Sequence, residues 1–466
     1  MSKAKSTSKE NNQMSKARAG ESKERISPAR AAAFEILRRV EQEGAFATPL
    51  LATMDERLSG VDRALVYELV MGVLRHQLWL DCVVRHFAGR EIEKLDVGVR
   101  LALRLGLYQM RFLERVPDSA AVNESVALVR RALLASAAGF VNAVLRRAGR
   151  EPVYDPTVQA KTDAERIAIG TSHPVWLIER WSAAFGAGEA ARMAEAHNRT
   201  PPVAFRINNH INDETHIIAE LSAAGVTAIR SVITPGAWRV QGAGAVIQSM
   251  ARDGRIYLQD EASQLVAHVV APQAGESILD VCAAPGSKTT HIRALGGNGV
   301  RIVAGDLHAH RLRVLGELAG RQKLEGIFPV VYDAEESLPF RDGSFNCVLV
   351  DAPCTGTGTL RHNPEIRGRI TPFDINDLAR RQEKILTNAA SLVRPHGRLI
   401  YSTCSIEREE NEAVIESFLK AHREWQAVRP PVSPSLITDN DFSRTFPHRD
   451  DTEGFFIAVL ERKAQT

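Results

Sequence analysis

Five cysteines occur in this 466-residue chain, and two of them stand where a thiol could react. Cys354 ends the run Asp351-Ala352-Pro353-Cys354, and Cys404 lies in Tyr401-Ser402-Thr403-Cys404-Ser405. Each closely follows a strand-like apolar run, Cys347-Val348-Leu349-Val350 for the first and Leu399-Ile400-Tyr401 for the second. A thiolate so placed can add to an electron-poor ring carbon. In cytosine, carbon 5 is too electron-poor to take a methyl group until a nucleophile has added at carbon 6. The carbon-5 proton must afterwards be removed, so two thiols converging on one pocket have a joint use. Without further context, an arbitrary pair of cysteines reads better as small buried core residues.

Context is supplied by the strands that must carry such thiols. Ile278-Leu279-Asp280-Val281 reads as an apolar strand, Cys282-Ala283-Ala284-Pro285-Gly286 as a turn of small residues, and Ser287-Lys288-Thr289-Thr290 as a helix start. Such a turn lets backbone amides approach a ligand closely, although alone it indicates only a generic nucleotide-type strand-to-helix turn. Downstream, acids recur after apolar runs. Val300 to Gly305 leads into Asp306, Phe328 to Tyr332 into Asp333, and Val348 to Val350 into Asp351. Each acid alone reads as a turn cap about as well as a ligand. Together they mark the carboxyl ends of successive parallel strands, where open α/β sheets bind ligands, and the acid after the second strand suits ribose hydroxyls.

These motifs resemble the RNA cytosine-5 methyltransferases of the RsmB/NOP family, and the match is close to its bacterial ribosomal members. The resemblance runs from about Arg25 to Glu461 and includes Arg206-Ile207-Asn208, Tyr257-Leu258-Gln259-Asp260-Glu261-Ala262-Ser263 and Gly454-Phe455-Phe456-Ile457-Ala458. It implies an α/β, Rossmann-like S-adenosylmethionine-dependent core, an all-α NusB-like N-terminal domain, and a small α/β RNA-binding subdomain between them. It implies that Cys282, Ala283, Ala284, Pro285, Gly286, Ser287, Lys288, Asp306, Asp333 and Asp351 bind S-adenosylmethionine. Cys404 is implied to be the nucleophile and Cys354 to assist product release, while Asp351 stabilises charge near cytosine nitrogen 3 and the exocyclic amine. The implied substrate is a single cytosine of 16S ribosomal RNA, free or in a small-subunit particle, with transfer RNA or 23S ribosomal RNA as alternatives. Three departures stand out. Ser287 occupies a position where the family has glycine, Arg367 one where it often has lysine, and His308 one where it commonly has an acid. Arginine keeps the charge but cannot carry a proton.

Two rival readings follow. A DNA cytosine methyltransferase would use Cys354 as nucleophile, but the Thr-Cys-Ser motif and the helical domain argue against it. A noncatalytic NusB-like RNA-binding factor would not be expected to keep both cysteines, the loop and three acids.

Composition agrees with a large intracellular enzyme. With 44% apolar residues the chain can bury two or three cores. Cysteines without CxxC spacing suggest reduced thiols rather than disulfides or zinc, with Cys82, Cys282 and Cys347 in packing positions. No run suggests a secretory signal or a membrane span, so a cytoplasmic monomer without metal is expected. A net charge of +3 does not announce a nucleic-acid binder, although the basic residues are unevenly placed.

The expected organisation is a disordered basic tail over 1–24, a helical RNA-binding domain over 25–150, a linker and small α/β subdomain over 151–254, and the catalytic domain over 255–463. From Ile26 to Arg150 the apolar period is helical, as in Ala33, Ile36, Leu37 and Val40, which predicts six or seven helices. Arg130, Arg131, Arg146, Arg147 and Arg150 decorate the later ones, either as an RNA surface or as a solvated face. Residues 151–254 mix helical and strand patterns. There Trp181 reads as core, Pro201 to Asn208 as a strand entry, and Arg206 either as a phosphate contact or as the partner of a local acid.

Overall fold

The structure is a computed structural model that describes residues 26–54, 57–242 and 244–463. The expected tail over 1–24 lies outside the described residues. The chain divides into two compact units, one ending at Glu179 and the other starting at Arg180.

Among the described residues the first unit contains helices and no strand. Its α-helices over the predicted region are Pro28–Gln42, Ala47–Ala52, Gly60–Arg75, Gln77–Ala88, Val97–Phe112, Asp118–Arg131 and Ala138–Arg150. Leu101, Leu103, Leu105 and Leu107 are all buried, so Val97–Phe112 runs through the middle of this core instead of lying on its surface. Gly72 is the close approach that permits this: a Cβ there would stand 1.9 Å from the Tyr108 ring. Arg104, also buried, is held by Asp81 on one side and Glu41 on the other. Of the arginines singled out above, Arg147 is paired with Glu151 on the exposed face of its helix.

The second unit contains two sheets. The smaller has strand order β2-β3-β1-β4, all antiparallel, built from β1 (Val203–Ile207), β2 (Ile229–Arg230), β3 (Ala237–Val240) and β4 (Ile256–Leu258). Helices Glu214–Ala223 and Ala245–Arg252 pack Ile217, Leu221, Ile247 and Met250 onto Phe205, Trp238 and Ile256. Ahead of it, helix Val175–Phe185 buries Trp181, as the sequence suggested.

The larger sheet comprises β5 (Ser277–Asp280), β6 (Arg301–Asp306), β7 (Ile327–Val331), β8 (Phe345–Asp351), β9 (Val393–Thr403), β10 (Trp425–Val428), β11 (Ser443–Arg444) and β12 (Phe456–Arg462). Its order is β10-β12-β9-β8-β5-β6-β7, with β11 beside β12. The stretch β9-β8-β5-β6-β7 is parallel, and β12 runs antiparallel between β9 and β10. Parallel strands covered on both faces read as continuous apolar runs, which is why Val348, Leu349 and Val350 are all fully buried. Chain order reverses on either side of β5, so the crevice for a ligand opens at the carboxyl ends of β5 and β8.

Candidate active site

Strands β8 and β9 are parallel neighbours with Asp351 opposite Ser402. Both chains therefore leave the sheet on the same edge, Cys354 three residues beyond one partner and Cys404 two beyond the other. Their sulfurs lie 3.3 Å apart, and both cysteines are free thiols. The hydrogen bond with Cys404, reinforced by burial, pushes the Cys354 thiol well above its ordinary range. The two sulfurs share one hydrogen bond, in which either can be the donor.

The two loops are fixed by a residue that the sequence reading passed over. Glu410, fully buried, accepts from the backbone N–H of Thr355 at 2.8 Å, from the Thr355 hydroxyl, and from the Ser405 hydroxyl. Thr355 and Ser405 directly follow the two cysteines, so one carboxylate ties both loops together. Burial raises the Glu410 pKa, and the hydroxyl and amide donors work against that rise. Gln382 of helix Pro372–Ala390 donates to the carbonyl of Pro353 at 2.8 Å and to Glu410 at 3.1 Å. Asn411 donates to the Ser405 carbonyl and accepts from Thr403. In sequence, Glu407-Arg408-Glu409-Glu410 reads as an exposed acidic run, and only its distance of six residues from Cys404 hinted otherwise.

Two glycines close the site from the far side. The N–H of Gly358 donates to the carbonyl of Cys404, and the N–H of Gly454 to the carbonyl of Gly358, each at 2.9 Å. A Cβ on Gly358 would stand 2.0 Å from the Gly454 oxygen, so no other residue fits there.

The small-residue turn lies where the sequence placed it. Gly286 has φ +106° at the start of helix Ser287–Gly296, and a Cβ there would collide with Leu315 at 2.6 Å. Lys288 reaches Asp351 Oδ2 at 2.7 Å, with its ammonium 5.0 Å from the Phe455 ring centre. Burial pulls the Lys288 pKa down, but the charge and hydrogen bond of Asp351, with the other acidic groups nearby, together outweigh it and the net shift is upward. The other Asp351 oxygen accepts from Ser402 at 2.8 Å. Asp306 is buried at the end of β6, accepting from the His308 N–H at 2.9 Å and from Arg311 at 3.1 Å, while Arg311 also donates to the Ala284 carbonyl. Asp333 is exposed beyond β7 and accepts from the N–H of Glu335. Across the strand order β8-β5-β6-β7, these acids flank the turn over about 14 Å, three strand spacings.

That arrangement fits an elongated ligand with hydroxyls and a nucleobase at one end and charge at the other. Lys288 and Asp351 stand at the cysteine end of such a ligand, and Asp306 and Asp333 at the opposite end. Beneath the turn, Asp280 is fully buried and accepts from Thr289 at 2.7 Å, and burial pushes its carboxyl up to about 7. Cys282 and Cys82 are only partly buried, whereas Cys347 is fully so.

Other expectations resolve differently. Arg367 is buried and donates to the Asn198 side chain at 2.8 Å and to the His197 carbonyl, so it anchors the end of helix Ala187–Asn198. Among the described residues Arg206 has no acid as its partner. It is buried, bonded to Gln259 and Thr290, and its guanidinium lies over the Tyr257 ring. His308 and His310 are exposed and stacked on one another. Asp260, His362 and Glu453 form a further cluster next to Gly454, with His362 Nδ1 2.8 Å from Glu453 and Asp260 capping helix Glu261–Val270. Burial and the Glu453 charge push Asp260 up to about 6.

Comparison with known proteins bears on this geometry. Residues 267–461 match the model of the 16S rRNA methyltransferase RsmB/F family, residues 27–150 that of the NusB family, and residues 173–247 that of the ferredoxin-like domain of RsmF/B-like methyltransferases. The probable ribosomal RNA small subunit methyltransferase B of Bacillus subtilis (strain 168) is 34% identical over 440 residues, 92% of this chain and 98% of its own. This chain belongs to the RsmB/F methyltransferase family. The Synechocystis relative of the same description is 35% identical over 93% of this chain and 99% of its own. Among solved structures, PH0851 is 28% identical with a TM-score of 0.81, covering 94% of this chain and 99% of its own. The NSun6 structure from Pyrococcus horikoshii, solved with SFG, is 22% identical with a TM-score of 0.56 over 63% of this chain and 99% of its own, and shares the fold. As an RsmB/F family member the chain is an S-adenosylmethionine-dependent methyltransferase, with a NusB domain and a ferredoxin-like subdomain as the sequence implied.

Proposed function

We propose that this enzyme methylates carbon 5 of a single cytosine in 16S ribosomal RNA through a covalent bond between Cys404 and carbon 6. The observation that carries this reading is the 3.3 Å contact between the Cys354 and Cys404 sulfurs at the ends of two neighbouring parallel strands. The target base must be unstacked, because a paired cytosine hides carbon 6 from a thiol at a sheet edge.

The sulfur of Cys404 adds to carbon 6, moving an electron pair into the ring toward carbon 5. Asp351, steadied by Lys288 and Ser402, accepts from the exocyclic amine and orients the ring, and the Lys288 ammonium beside it offsets the negative charge that develops on the ring. When bound, along the turn 282–288 with Asp306 and Asp333, S-adenosylmethionine supplies the electrophilic methyl group that carbon 5 takes up. The carbon-5 proton then leaves, its electron pair re-forms the ring double bond, and the carbon–sulfur bond breaks to return Cys404. Cys354 lies 3.3 Å from the sulfur that carries the ring, so its thiolate or a water that it positions can take up the carbon-5 proton. The scheme uses thiols and carboxylates and calls for no metal.

The substrate is 16S RNA, free or within a small-subunit particle, met by a monomeric cytoplasmic enzyme. No helix among the described residues is long and apolar enough to cross a membrane. Bisulfite sequencing of ribosomal RNA from a strain lacking the gene tests the assignment. One 16S cytosine should lose protection and regain it on complementation. Loss of protection in 23S or transfer RNA instead would overturn the substrate, and unchanged protection throughout would overturn the reaction.

A further inference from the structure

Below the small sheet lies a cavity of about 200 Å³ that the chemistry above does not use. That is well over the roughly 10–15 Å³ a single water requires. Its walls include Arg206, Asn209, His210, His268 and His291, and no carboxylate lines it. Arg206 is 3% exposed, and among the described residues it makes no ion pair. Its Nε donates to Gln259 at 3.1 Å and one terminal nitrogen to Thr290 at 3.0 Å, while the Tyr257 ring lies 4.8 Å from its Cζ. A buried guanidinium without a carboxylate is costly, and the buried Arg104, Arg361 and Arg444 each have one. Burial pulls the Arg206 pKa down to about 10.

The histidines point the same way. The His291 ring is 5% exposed and its Nδ1 has no hydrogen-bond partner, and the same is true of Nε2 of the half-buried His268. The two rings meet edge to face with centres 5.2 Å apart. Burial, with help from Arg206, keeps His291 well below the usual histidine range, so it is neutral and can offer one N–H. A guanidinium with spare donors, two imidazoles and an amide side chain around a cavity free of acids make a set of donors awaiting acceptors.

From these residues we infer that the cavity is a phosphate-binding site, occupied in the working enzyme by a backbone phosphate of the RNA. The RNA occupant rests on the substrate reading above; the phosphate chemistry does not. The site also communicates with the cofactor turn. The hydroxyl of Thr290 that accepts from Arg206 donates to the carbonyl of Gly286 at 2.7 Å, so a phosphate on Arg206 is two hydrogen bonds from the turn.

Inorganic phosphate is the first probe, titrated into the full-length protein while the imidazole resonances of His268 and His291 are followed by NMR. Both should shift saturably, and the shifts should be lost in Arg206→Gln. Should that variant fail to fold by circular dichroism, His291→Gln and His268→Gln with His210 as the remaining reporter serve instead. A 16S RNA fragment should then displace the phosphate. His291→Gln should weaken RNA binding by about tenfold and lower its salt slope by about one, with S-adenosylmethionine affinity unchanged. Unmoved imidazole signals at saturating phosphate would overturn the site. Phosphate binding that RNA does not displace would overturn its assignment to the RNA backbone while leaving the methylation reading untouched.

Discussion

The sulfurs of Cys354 and Cys404 lie 3.3 Å apart at the ends of the parallel strands β8 and β9, and the roles proposed for them give the two residues opposite failure modes. Cys404→Ala should abolish methylation and any covalent protein–RNA adduct. Cys354→Ala should still form the adduct but resolve it slowly. Denaturing gels with labelled 16S RNA should show a shifted band for the second variant and none for the first. The reverse pattern would make Cys354 the nucleophile.

Removing the acid at the end of β6 should affect the cofactor alone. If Asp306 holds ribose hydroxyls through charge-assisted bonds worth about 1.5–3 kcal/mol, Asp306→Ala should weaken S-adenosylmethionine binding tenfold or more. Calorimetry on the folded variant measures this, and an unchanged affinity would take Asp306 out of the site.

Glu410 touches neither ligand in the proposed scheme, yet it bonds the residue after each cysteine. Glu410→Gln turns one acceptor oxygen into a donor facing Thr355 or Ser405. The turnover number should fall by about tenfold to a hundredfold, the value of one or two hydrogen bonds to a charged group, with cofactor affinity within twofold of the parent. Equal turnover in the two proteins would show that the loops hold their spacing without it.

Asp280 offers a test by pH. Its carboxyl is raised from 3.8 to about 7 in the folded protein, so the neutral form is the one the fold favours. A group with a raised folded pKa contributes stability that is complete below the unfolded value and lost as pH rises through the folded one. Asp280→Asn keeps an acceptor for Thr289 and cannot ionise. Its urea midpoint should match that of the parent near pH 4, exceed it increasingly as pH rises toward 7, and hold a constant lead above that. A difference constant from pH 4 onward would mean that Asp280 is charged in the native state.

Much of this site could be read from the chain because its parts are local. Thr403-Cys404-Ser405, Asp351 through Cys354 and the turn from Cys282 to Lys288 each follow one strand, and parallel order brings three strand ends to one edge. Glu410 escaped notice because its partners, Thr355 and Ser405, are joined only by the register of β8 and β9. Arg206 and Arg367 escaped for a related reason. An arginine next to polar neighbours reads as exposed, and burial is decided by helices and strands far away in sequence. The fourth strand of the small sheet, Ile256–Leu258, is three residues long and stands beside the start of the catalytic region, so no period marks it as belonging to the earlier segment.

The contact between Gly358 and Gly454 has a consequence for synthesis. Strand β12 is the last strand among the described residues, yet it takes a place inside the sheet, between β9 and β10, and brings Gly454 against the loop that carries Cys354. A nascent chain that has not yet released residues 454–462 from the ribosome has no wall behind its thiols and leaves one side of β9 unpaired. The reactive pair is thus completed only after residues 454–462 have been made, and a product truncated before them carries both cysteines without the site that would use them.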